Sequence, residues 1–284
     1  MAGACFRALA HGPLVTLVFG SSAEQHAALA RMESFYESVH FAGRYLSWDE
    51  ARGARLCQGY EAYNLPLASV REWLAAMRAA VGDTVTESHE EEAKESPPPW
   101  WHAHCSPEEH ALLTYLDAQG ALSSEATPTY LISALVKRAD EALDHERLHA
   151  LYYLSPSYRA LLDELWTSMP KAIASAIQYD LQMRGYKEAV WRDELGAYLG
   201  VRGLPTRRQD PCQEFGNKSA ATCAEMRRTL LARIPTCWQA DVGMSEAELQ
   251  LPTSFLEDAR QALGTPPRPT PAPAARGRGR RGRR

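Results

Sequence analysis

The chain has 284 residues, enough to bury a sizeable core, and its 45% hydrophobic and 23% charged residues are those of an ordinary globular protein rather than a membrane-embedded or disordered one. The formal charge of −4 is unevenly spread: residues 265–284 hold seven arginines and no acid, leaving 24 basic against 35 acidic side chains in the body. An acidic body argues against nucleic-acid binding as the main task of the folded part. The six cysteines form no C-x-x-C pair, so they read as reduced thiols of an intracellular protein, cytoplasmic or nuclear, rather than a disulfide framework.

In chain order, residues 13–19 are rich in Val, Leu and Phe and predict a strand. The run is too short to span a membrane. It follows Arg7 and precedes small residues, as a signal peptide would, but its length disfavours that reading. A helix is expected over 23–38, with Ser22 as N-cap and Gln25 closing a capping box. Leu29, Met32, Phe35 and Tyr36 recur in it at helical spacing. Ser47-Trp48-Asp49-Glu50 opens a short second helix, and 67–80 forms a third with Val70, Trp73, Leu74 and Met77 on one side. Residues 82–99, acidic and then proline-rich, read as a linker or loop between an N-terminal helical segment with one strand (1–81) and a larger helical domain (100–264).

Ser106-Pro107-Glu108-Glu109 starts the next helix, which ends near Gly120. Residues 129–135 suit a strand. Helices follow over 140–154 and 157–169. A further one is capped by Ser168, with Pro170 in its first turn, and ends at Gly185. The last three are expected over 189–199, 219–233 and 253–263. The expected fold is therefore α+β, predominantly helical with a small minor sheet. The Pro/Ala- and Arg/Gly-rich 265–284 tail cannot bury a core and should be disordered; its charges suit nucleic-acid phosphates or nuclear targeting.

The segment with most chemistry is Asp144-His145-Glu146-Arg147-Leu148-His149, which contains His-Glu-x-x-His on an expected helix. Imidazoles four positions apart share one face and can reach a single metal ion. Glu146 is turned about 100° from His145 and sits beside such an ion, where a general base belongs. The loop His102-Ala103-His104-Cys105 also holds three ligating side chains. Their spacing matches no defined site, so it reads as a polar loop anchored by Trp100 and Trp101. Tyr152 and Tyr153, continuing the motif helix, read as core aromatics, with Tyr152 close enough to the face of His149 to reach the cleft.

The motif resembles the zinc helix of the zincin metallopeptidases, over six residues of one helix. The resemblance implies His145 and His149 as Zn2+ ligands and Glu146 as general base. Its gluzincin-like form takes a third ligand from a later helix. Glu194, in the charged pair Asp193-Glu194 set inside the otherwise apolar helix 189–199, is best placed, with Glu164 and Glu188 as weaker rivals. Asp193 would then orient an imidazole, and Tyr198 would donate to a developing oxyanion. Arg147 departs from the usual pattern, since an unpaired buried guanidinium costs several kcal/mol. It therefore needs either solvent or Asp144 as a partner. The expected function is a zinc-dependent hydrolase acting on a peptide or small amide, with no membrane partner. The alternatives are a non-enzymatic helical interaction protein with a basic tail and an iron enzyme on the same ligands.

Overall fold

The computed structural model describes residues 5–82, 99–123, 127–202 and 210–264. The 265–284 tail and all but the ends of the acidic 82–99 stretch lie outside the described residues. The architecture is α+β and predominantly helical, around one four-stranded mixed sheet.

The apolar run near the start forms β2 (Leu14–Phe19), every residue of which is buried. It pairs antiparallel with β1 (Phe6–His11) across the turn at Gly12, where φ is +53°, and parallel with β4 (Tyr130–Leu135). The outer strand β3 (Ala62–Pro66) runs antiparallel to β4, giving the order β1-β2-β4-β3. The sequence reading missed β1 and β3. β1 alternates poorly, with a half-exposed Leu9 and an Arg and a His among alanines. β3 is five residues long and ends in proline, which lacks a ladder donor and is tolerated only at such an edge.

Side chains alternate across the sheet as a period of two requires. Val15, Leu17, Phe19, Leu65 and Leu131 face α1 (Ser22–Glu37), α3 (Leu67–Val81) and α4 (Pro107–Ala118), with α2 (Trp48–Gly53) at the margin. Leu14, Val18, Tyr130, Ile132 and Ala134 face the second layer. That layer comprises α5 (Ala139–Leu154), α6 (Pro156–Ser168), α7 (Lys171–Met183), α8 (Trp191–Gly200), α9 (Ala220–Cys237), α10 (Glu246–Leu249) and α11 (Thr253–Leu263). Because β4 lies between β2 and β3, residues on both sides of the acidic stretch share one sheet.

Ser47 and Ser106 both form capping boxes with the glutamate three positions on. Two other caps differ from expectation. α1 is capped by Ser21, which leaves Ser22 as its first helical residue. α7 begins after Pro170, because the Ser168 hydroxyl turns back to the Leu165 carbonyl. All six cysteines are unpaired, and no helix among the described residues is long and apolar enough to cross a membrane.

Candidate metal centre

The motif helix α5 lies against β3 and β4 on one side and against α8 on the other. Small residues on α8 set that approach. A Cβ on Gly200 would come within 2.9 Å of Leu148 on α5, and one on Gly196 within 2.7 Å of Leu162 on α6. With Ala197 fully buried between them, α8 packs closely enough to bring its first turn to His149.

The Nε2 atoms of His145 and His149 are 3.1 Å apart, and His149 Nε2 is 3.9 Å from Glu194 Oε1. One ligand atom from each of the three residues lies within 4.8 Å of the others, so this group can hold a metal ion. Ligands at about 2.0–2.2 Å around a tetrahedral ion stand roughly 3.3–3.5 Å apart, so only small side-chain shifts separate this arrangement from a closed cage. Glu194 Oε2 is buried without a hydrogen-bond partner, an orphaned acceptor that a cation would satisfy. The rivals Glu164 and Glu188 are exposed.

Asp193 Oδ1 lies 3.0 Å from His149 Nδ1, the ring nitrogen turned away from the cluster. The contact is an ion pair at hydrogen-bond distance rather than a linear hydrogen bond. It fixes which nitrogen of His149 faces the cluster. Losing such an outer partner typically weakens metal affinity about 10–100-fold. We expect that loss for Asp193→Asn in a competition titration against a chromophoric chelator, and unchanged affinity would detach Asp193 from the site.

Glu146 is buried beside the cluster but not part of it. Its Oε2 accepts from Asn64 Nδ2 at 3.0 Å, and Asn64 Oδ1 in turn accepts from the Tyr130 hydroxyl at 2.7 Å. Burial pushes its carboxyl up to about 7, against the opposing pull of His149 and the Asn64 bond. Burial likewise raises Glu194 to about 8. Burial opposes charge on both imidazoles, yet Asp193 and Glu194 hold His149 well above the ordinary histidine range, while burial and His149 hold His145 well below it. A cation binding here must displace protons from these groups, so metal affinity should rise with pH through this range.

Arg147 is buried on the far side of α5, and its guanidinium lies 3.7 Å from Asp144 Oδ1. The partner that the sequence reading required is therefore in place. Tyr198 lies edge-on to His145 with ring centroids 5.0 Å apart, and its hydroxyl is 3.1 Å from that of Tyr186. Tyr153 is exposed against the expectation of a core aromatic, and Tyr152 packs on the core without lining the cleft. His102, in a short turn anchored by the buried Trp101, meets His110 of α4 edge-on with ring centroids 4.0 Å apart.

The cluster opens into a cleft of about 430 Å³. Its opposite wall comes from the N-terminal segment through Glu33, Glu37, Tyr60 and Asn64, residues in which the sequence reading found no chemistry. No protein-family model, no curated protein and no solved structure matches the chain.

Proposed function

We propose that this protein is a zinc-dependent hydrolase of peptide or small amide bonds. The observation that carries the reading is the convergence of His145, His149 and Glu194, with Glu146 held just outside them by the Asn64–Tyr130 pair. Two imidazoles and a carboxylate suit zinc in a site with one open position. Zinc there would supply Lewis acidity, acidifying a water and polarising a carbonyl.

The chain's own groups account for the rest. Glu146 is a carboxylate poised near neutrality, suited to take a proton from the attacking water and pass it to the leaving nitrogen. Tyr198, lining the cleft beside His145, is placed to donate to the oxygen that gains charge. β3 is one of the sheet's two edge strands, and its Ala62 and Asn64 line the cleft. An extended peptide can lie along that edge through main-chain hydrogen bonds. A redox enzyme using iron on the same three ligands would have no evident need of a base such as Glu146, which favours hydrolysis.

The decisive experiment is metal analysis of the purified chain, joined to hydrolysis of a mixed peptide library. We expect close to one zinc per chain, lost in His149→Ala, and peptide cleavage that depends on that zinc. Equivalent iron would redirect the reading to redox chemistry. No metal, even after reconstitution with zinc, would end it.

A further inference from the structure

The cleft is acidic beyond what the metal cluster needs. Glu33, Glu37, Glu61, Asp140 and Glu141 line it together with Glu146 and Glu194. The cations at its rim are already engaged. Arg138 pairs with Glu61, and Arg184 pairs with Asp180 and Glu214 at 2.6 Å each. The Lys187 ammonium donates to the Ser38 carbonyl at 2.9 Å. Asp140 is taken by Arg260 at 2.9 Å. Glu33 and Glu37, one turn apart on α1, have no cationic partner among the described residues.

Glu33 stands out. It is only 1% exposed, and its Oε2 is buried with no hydrogen-bond partner. Burial and the neighbouring Glu37 carboxyl both oppose charge on Glu33, so the pair gains most from a cation that brings positive charge to that oxygen. Glu33 and Glu37 also line a second cavity of about 280 Å³, so they stand on the wall shared by the two spaces. Tyr60 and Tyr186 line both spaces as well and give that wall aromatic rings. The second cavity is also lined by Arg55, which would repel a cation, so the favourable position is the wall it shares with the cleft. The Glu37 charge is felt at both Glu146 and Glu194, which places the pair within electrostatic reach of the metal cluster.

We propose that Glu33 and Glu37, flanked by Tyr60 and Tyr186, form a subsite for an organic cation, an ammonium or guanidinium group carried by the substrate next to the bond that is cut. A metal ion is the poorer occupant. Among the described residues the pair gathers no third ligand, whereas His145, His149 and Glu194 do. Aromatic walls beside paired carboxylates favour a cation with an organic stem. The cation could be the substrate's free α-amine or the side chain of a lysine or arginine. The inference deepens the hydrolase reading by naming its substrate class, but binding can be measured without turnover.

The test is calorimetric titration of the zinc-supplemented full chain at low salt with four amides. Leucinamide offers only an α-amine, N-acetylargininamide only a guanidinium, argininamide both and N-acetylleucinamide neither. We expect at least one singly cationic amide to bind about tenfold tighter than N-acetylleucinamide, and Glu33→Gln or Glu37→Gln to shrink that preference to about twofold or less. Which of the two wins identifies the source of the charge. Glu37 is partly exposed, so Glu37→Gln serves if the Glu33 variant folds poorly. Equal binding of all four, binding of none, or an undiminished preference in Glu37→Gln would overturn the subsite. A cation preference without any peptide cleavage would keep the subsite and remove only the hydrolase.

Discussion

Glu146→Gln should keep its zinc and lose turnover by roughly 10²–10⁴-fold, the usual contribution of a positioned acid–base group. The substitution preserves shape, and an amide can still meet Asn64 Nδ2, which bonds the carboxylate at 3.0 Å. What it removes is the ability to hold a proton in transit. The pH profile gives a second readout. A base works only when deprotonated, so wild-type kcat/KM should fall as pH drops. Burial, opposed by His149 and the Asn64 bond, sets that limb at about 7, and a neighbouring metal cation would draw it lower. Any residual activity of the variant should lack the limb. Full zinc content with undiminished cleavage would remove Glu146 from its role.

The second large effect lies on the opposite face of the sheet. Arg31, on α1, reaches Glu109, on α4, at 2.6 Å, with side chains only 2% and 1% exposed. The guanidinium also donates to the Leu46 and His104 carbonyls at 2.9 Å and sits 5.1–5.6 Å from the rings of Tyr45, Trp48 and Trp73. Removing one member leaves the other charge buried and unpaired, at a cost of about 3–5 kcal/mol. Glu109→Ala should therefore lower the melting temperature by on the order of 10 °C. Replacing both, as Arg31→Met with Glu109→Leu, should recover much of the loss. A single variant that melts like the wild type would show the pair to be dispensable.

The motif helix was legible because its reactive groups are four residues apart and need only local geometry to meet. Glu194 was legible in part, since the pair Asp193-Glu194 at the start of a helix that is otherwise mostly apolar signals a buried purpose. Asn64, Glu33 and Glu37 were not. Asn64 reaches Glu146 only because β3 pairs with β4, and β3 reads poorly as a strand with its terminal proline. Glu33 and Glu37 look like two acids of an ordinary solvated helix, and only the placement of α1 on the sheet turns them toward the cleft. The cap at Ser21 shows the same limit at smaller scale: Ser21 and Ser22 are equivalent in sequence, and only the structure shows that the Ser21 hydroxyl takes the Glu24 amide.

The order of the strands also shapes how the chain is made. β2 finds its parallel neighbour through pairs such as Leu14↔Tyr130, more than 100 residues later. At about 5–20 residues per second, a ribosome delivers that neighbour roughly 6–23 s after β2. Throughout that interval a strand with one polar residue, Thr16, among five apolar ones is zipped to β1 on one side and bare on the other, the sort of edge that recruits chaperones or sticks to another nascent copy.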